Sequence, residues 1–119
     1  MDGDSRRRAE RFVELHKEGC FLLPNAWDVG SARILESAGF PAVATTNAGV
    51  AFSLGRPDHD FFAEQGPEGR ADRETVMRRV REIADQVKVP LSADLEDGYG
   101  EPPGTVARTI SMALAAGAG

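Results

Sequence analysis

With 119 residues, 41% apolar, 28% charged and 7% aromatic, the chain has the make-up of one small soluble globular domain. Its net charge of −5 argues against non-specific nucleic-acid binding, which needs a basic face, and no apolar run approaches the roughly 18 residues of a membrane span. Cys20 is the single cysteine, which excludes an internal disulfide or a cysteine zinc site and makes a reducing cytoplasm the simplest compartment. His16 and His59 are too few and too far apart for a histidine metal site and read as surface residues. The basic start at Arg6-Arg7-Arg8 has no apolar stretch behind it, and Asp2, Asp4 and Glu10 count against a transit peptide.

In chain order, Ser5 to Glu18 reads as an amphipathic helix with Phe12 and Leu15 on one side and Gly19 as its stop. Cys20 to Leu23 reads as a short buried strand ending at Pro24-Asn25. Val29 to Ala38 reads as a helix carrying Ala32, Leu35 and Ala38 on one face, with Asp28 as its N-cap and Gly39 as its C-terminal signal. Pro41 to Thr45 is a second strand, rich in small and β-branched residues. Asn47 to Ala71 reads as one long irregular region, punctuated by Gly49, Gly55, Pro57, Gly66, Pro67 and Gly69. Asp72 caps a third helix in which Val76, Val80, Ile83 and Val87 recur at i, i+4, i+7 and i+11. Val89 to Ala93 is a third strand, and Thr105 to Ala116 a fourth helix with Val106, Ile110, Ala113 and Leu114 on its apolar side.

The order is a helix followed by three strand–helix pairs. Strands that are short continuous apolar runs are covered on both faces, and alternating β and α elements give a parallel sheet with right-handed crossovers. Three such units make about half of a (β/α)₈ barrel, which takes roughly 250 residues, with a complete small three-stranded α/β domain as the alternative. The expectation is therefore an α/β fold of the (β/α)₈ TIM-barrel type, with residues 1–119 as a single partial barrel domain, incomplete at its C-terminus.

The chemistry concentrates in Pro90-Leu91-Ser92-Ala93-Asp94-Leu95-Glu96-Asp97-Gly98-Tyr99-Gly100. A short apolar run ends in carboxylates whose mutual repulsion calls for a cation between them. Hard oxygen ligands of this kind suit Mg²⁺, which takes one or two carboxylates and keeps water and substrate oxygens at its other positions. An EF-hand is excluded, because Gly98 comes too early and no downstream bidentate glutamate follows.

The segments Leu23 to Asp28, Ser31 to Arg33, Glu36 to Ala42, Thr45 to Gly49 and Ser53 to Asp58, together with Pro90 to Gly100, occur in the order found in the isocitrate lyase/phosphoenolpyruvate mutase superfamily. The chain resembles that superfamily over about residues 20 to 119, and most closely its phosphonomutase-like branch. The resemblance implies a (β/α)₈ barrel, Mg²⁺ or Mn²⁺ as cofactor, and an enolate-type intermediate formed by breaking a C–C or P–C bond beside a carboxylate. It further implies a small carboxylate or phosphonate as substrate, with neither nucleic acid nor membrane as partner, and a homo-oligomer that is a tetramer in the full-length family.

Carried over residue by residue, the resemblance makes Asp94 and Glu96 the metal-binding pair, Asp94 directly or through water. It places Asp58 on a loop reaching toward the metal, so that Asp58 and Asp94 are the candidate catalytic residues. Asn47, Ala48 and Gly49 match the place where the family binds the substrate's carboxylate or phosphonate, although serine is common where Asn47 stands. Trp27 and Tyr99 are candidate pocket residues; the alternative for Tyr99 is packing against a neighbouring loop. Asp97 reads as a turn residue. The segment Asp60 to Pro67, with its paired Phe61 and Phe62, departs from the shorter connection of the branch.

Absent from these residues are the family's next acidic ligand, its gating loop and a substrate-binding arginine. The implied activity is a Mg²⁺-dependent C–C lyase of a small 2-oxo or 2-hydroxy dicarboxylate, with P–C bond chemistry or a non-catalytic half-barrel remnant as alternatives. The 119-residue chain by itself is expected to be inactive or nearly so.

Overall fold

The computed structural model describes residues 3–58, 69–101 and 103–119. Among them the elements run α1 (Gly3–Leu15), β1 (Asn25–Ala26), α2 (Val29–Ser37), β2 (Val43–Thr45), α3 (Asn47–Ser53), α4 (Arg73–Ala84), β3 (Leu91–Ser92) and α5 (Gly104–Ala116). The strands form one parallel sheet in the order β1-β2-β3. Sequential neighbours with helical crossovers are what alternating β and α elements predict.

The register separates the two faces of the sheet. Ala26, Val43 and Leu91 are fully buried and join a core with Ala32 of α2, Val76, Val80 and Ile83 of α4, and Ala113 and Ala116 of α5. Asn25, Ala44 and Ser92 are paired across the strands and share the other face. The α4 period lands as expected: Val76, Val80, Ile83 and Val87 are all buried, although Asp85 already ends the helix. Gly119 donates its N–H to the Leu91 carbonyl at 3.0 Å, which brings the last residue against β3.

Caps set the helix boundaries. Asp28 and Ser31 form a reciprocal capping box on α2, Thr46 caps α3 through the Gly49 N–H, and Asp72 caps α4 through the Thr75 N–H. Gly39 and Gly117 follow their helices with φ of 90° and 98°, a backbone that favours glycine. Two long-range ties brace the N-terminal end of the sheet. Arg8 donates to the Ala84 and Val87 carbonyls at the end of α4, and Glu36 accepts the N–H groups of Lys88 and Val89.

Four expectations are corrected. The strand foreseen at Cys20 to Leu23 lies further on, at Asn25–Ala26. Cys20 is exposed and Leu22 is 74% exposed, while Phe21 packs edge-on against Phe12 of α1 and His16 just after it instead of entering the sheet. The region from Asn47 is not irregular throughout, because α3 occupies Asn47–Ser53. Seven residues with a glycine at the third give no readable helical period. The first helix ends at Leu15, three residues before Glu18. The α5 stripe is rotated: Thr109, Ala113 and Ala116 are buried, whereas Ile110 and Leu114 are 50% and 43% exposed. Thr109 can be buried because its hydroxyl donates to the Gly98 and Thr105 carbonyls.

Candidate functional site

The C-terminal ends of β2 and β3 lie side by side, so the residues just beyond them meet. Thr45, the last residue of β2, is 2% exposed, and its hydroxyl accepts the Asp94 N–H at 2.9 Å. Asp94 returns the contact: its Oδ2 accepts the Asn47 N–H at 3.3 Å and its Oδ1 accepts the Glu96 N–H at 3.1 Å. The carboxylate is thus aimed by two backbone donors from different segments while the residue itself stays exposed. The Glu96 contact is also an Asx turn, so the strand-end-and-turn reading of this segment and the ligand reading describe the same geometry.

Asn47 opens α3 and is 1% exposed. Its Oδ1 accepts the Tyr99 hydroxyl at 3.1 Å, which leaves Nδ2 buried without a hydrogen-bond partner. An orphaned buried amide donor is costly, about 1–3 kcal/mol, and such groups mark places where a further acceptor belongs. The Tyr99 phenol is held well above its ordinary pKa, first by burial and then by the Glu96 carboxylate, with Arg70 opposing. It therefore remains a hydrogen-bond donor at neutral pH.

The segment Glu96 to Gly100 is tightly wound. Glu96 and Tyr99 have φ of 48° and 64°, and Gly98 has φ of 84°. Non-glycine residues adopt this left-handed backbone at a cost, and they cluster at functional sites. Arg70 holds the turn from outside. Its Nη1 donates to Glu96 Oε2 at 2.6 Å and to Asp97 Oδ1 at 3.2 Å, and its guanidinium lies 5.1 Å from the centre of the Tyr99 ring. Burial works against the charge on Arg70, but the two carboxylates outweigh it and raise its pKa. The Tyr99 N–H, aided by Arg70, holds Asp97 below the usual carboxylate range, which fits the turn role expected of it.

Asn47, Asp94 and Tyr99 are thus joined directly by hydrogen bonds, and Glu96 through its backbone. Ala48 and Gly49 lie in the first turn of α3, and the Gly49 N–H is engaged by Thr46. A Cβ on Gly49 would fall 2.9 Å from Trp27 Cβ and 2.6 Å from Thr46 Cγ2, so this glycine lets α3 close on the residue after β1. Trp27 is 45% exposed. Asp28 is the cap of α2, and its carboxyl is lowered by the Ser31 N–H and hydroxyl. Asp58 is half-buried beyond α3. His59 and the Asp60 to Pro67 segment with Phe61 and Phe62 lie outside the described residues. Arg70 and Thr45 were not foreseen as site residues. Arg70 meets its partners across 26 and 27 residues, which no local spacing reveals, whereas a polar residue ending an otherwise apolar β2 was a usable signal for Thr45.

The donor set offered to a metal is Asp94 and Glu96, hard oxygens with no nitrogen or sulfur. That composition suits Mg²⁺ or Mn²⁺ retaining several waters. Among the described residues no group of three or more His, Cys, Asp or Glu could hold a metal together. A separate cleft of about 570 Å³, lined by Arg7, Arg8, Arg11 and Lys88, lies at the opposite end of the sheet beside Pro90. No helix among the described residues is long and apolar enough to cross a membrane.

The comparisons with known proteins agree with one another. The phosphoenolpyruvate phosphomutase family pattern matches residues 12–119. The uncharacterised protein Rv1998c of Mycobacterium tuberculosis is 36% identical over 107 residues, covering 89% of this chain and 38% of that protein. The 2-methylisocitrate lyase of Salmonella typhimurium is 31% identical over 105 residues, covering 87% and 32%. Among solved structures, a protein of Burkholderia cenocepacia J2315 provisionally assigned as a lyase/mutase superposes with a TM-score of 0.86 at 44% identity, covering 98% of this chain and 38% of that one. A 2,3-dimethylmalate lyase superposes with a TM-score of 0.76 at 26% identity, covering 99% and 38%. The chain spans less than two-fifths of the length of these relatives, and across the span it shares their sequence pattern and backbone path. It therefore belongs to the isocitrate lyase/phosphoenolpyruvate mutase superfamily.

Proposed function

We propose that this chain forms the first three β/α units, after an N-terminal helix, of a (β/α)₈ barrel enzyme. That enzyme is a Mg²⁺-dependent C–C lyase acting on a small 2-oxo or 2-hydroxy dicarboxylate through a pyruvate-enolate-type intermediate. The strand order β1-β2-β3 and the Gly119 contact with Leu91 support a sheet wound in one direction. The observation that carries the functional reading is the juxtaposition, beyond adjacent strand ends, of an exposed and doubly oriented Asp94 with the buried, unpartnered Nδ2 of Asn47. Barrel enzymes build their sites on this face.

In this reading Asp94 and Glu96 hold the ion, directly or through its waters. When bound, the ion polarises the substrate's oxo group and stabilises negative charge on it. Asn47 supplies an amide donor for a substrate carboxylate oxygen. Tyr99 fixes the orientation of that amide by donating to its other end. Trp27, Ala48 and Gly49 shape the neighbouring wall, and Asp58 approaches from the loop after α3. Assembly as a homo-oligomer in the cytoplasm belongs to the same proposal. The name 2-methylisocitrate lyase on a relative 31% identical supports the carboxylate substrate. P–C bond chemistry is the second reading, favoured by the phosphoenolpyruvate phosphomutase pattern over residues 12–119.

The test is to express the longest reading frame that contains this chain. It is assayed with Mg²⁺ and with a chelator against 2-methylisocitrate, oxaloacetate and phosphonopyruvate. Mg²⁺-dependent turnover of a dicarboxylate is expected. Turnover of phosphonopyruvate alone would replace the first reading by the second, and no turnover with any of them would reject both.

A further inference from the structure

Arg70 performs the task that the carboxylate-rich turn demands of a cation. Glu96 Oε2 and Asp97 Oδ1 both bond to the same guanidinium nitrogen, and the Glu96 side chain is only 16% exposed in that pairing. The Tyr99 ring packs near the guanidinium, and Tyr99 in turn reaches Asn47. Asp94 accepts from the N–H of Glu96. One arginine therefore touches two acidic side chains of the turn and the tyrosine that orients the buried amide, while Asp94 is held from the same turn. Glu96 has φ of 48°, so this carboxylate is carried by a strained backbone.

We propose that Arg70 is the resident counter-cation of this turn and competes with a divalent ion for Glu96, so that Arg70 sets the ion affinity of the site. The proposal rests on Asp94 and Glu96 being the ion's ligands. Two cations drawing on one carboxylate repel, and the repulsion is strong because the pair is partly withdrawn from water. An ion entering beside Asp94 therefore weakens the Arg70 contact, and by reciprocity the contact weakens the ion's binding by the same factor. The displaced guanidinium stays next to the site, anchored at Ala71, which is fully buried.

Mn²⁺ binding followed by electron paramagnetic resonance tests this on the purified protein, comparing wild type with Arg70→Gln. The variant should bind Mn²⁺ about fivefold tighter or more. Equal or weaker binding by a variant whose circular dichroism matches wild type would overturn the role of Arg70 while leaving the ion site intact. Failure of wild type to bind Mn²⁺ would overturn the ion site as well. A measurement on wild type alone covers the case in which the variant does not fold. Mg²⁺ titration should shift and broaden the hindered ¹⁵N signals of the Arg70 guanidinium, and signals unchanged at saturating Mg²⁺ would reject the competition.

Discussion

The helix-facing side of the sheet and the rim at its C-terminal end are built on opposite terms. On the first, Ala26, Val43 and Leu91 meet Val80 and Ile83 with essentially no exposure and no polar side chain to satisfy. On the second, within a few residues of the same strands, Asp94 is exposed, Glu96 and Tyr99 take left-handed backbone, and Asn47 keeps a buried donor without a partner. The first region gains by excluding water, and the second holds cost in place. A fold tolerates the second because the first supplies a surplus, which is the arrangement expected where a scaffold carries a site.

Substitutions should break this contrast in a graded way. The largest effect is expected for Ile83→Ala, which empties a fully buried position between α4 and the sheet. Urea unfolding should show a loss of about 3 kcal/mol, with little change in the rim. Gly49→Ala comes next. The added Cβ meets Trp27 Cβ, which no rotamer change can move, and about 1–3 kcal/mol should be lost in the same assay. This variant couples the regions, since it pushes α3 away from the residue that follows β1.

Tyr99→Phe acts on the rim alone. It removes the donor to Asn47 Oδ1 and leaves that buried amide without partners at either end. A cost of about 1 kcal/mol is expected, with the far-ultraviolet circular dichroism unchanged. A loss comparable to that of Ile83→Ala would contradict the assignment of this contact to the rim alone.

The smallest effect lies with the helix caps and depends on pH. Asp28 and Asp72 both have lowered carboxyl pKa values, in each case first through a backbone N–H, of Ser31 and Thr75 respectively. Depressed folded values mean that their stabilisation is complete above the unfolded value of about 4 and is lost as the pH falls through the folded values. Asn keeps a capping oxygen but carries no charge. The Asp28→Asn, Asp72→Asn double variant should therefore lose less stability than wild type between about pH 5 and about pH 3 in urea titrations.

The elements most readable in the sequence are those whose signals are local. The α4 period, the Asp28 and Asp72 caps and the glycine after α2 each act within one turn of chain, and each is where the pattern placed it. The first strand was misplaced because apolar character does not distinguish a strand from a segment pinned by its aromatic ring, as Phe21 is against α1. The α5 face was misjudged because small residues and Thr109 fill the crowded side while Ile110 and Leu114 face out. At the site, the resemblance pointed to Asp94, Asn47 and Tyr99, which the structure joins by hydrogen bonds, directly or through one another. A cation was foreseen among the carboxylates. What no local spacing revealed is that the guanidinium of Arg70 pairs with Glu96 and Asp97, through contacts made only once the chain is folded.

The central claim is that Asp94 is an ion ligand and not merely the start of a turn. Calorimetric titration of Mn²⁺ into wild type and Asp94→Asn decides this, since asparagine keeps the size and one of the two oxygens that accept backbone N–H groups but lacks the charge. The account predicts that the substitution weakens Mn²⁺ binding at least tenfold, about 1.4 kcal/mol, with the fold intact. Equal affinity in the two proteins would contradict it.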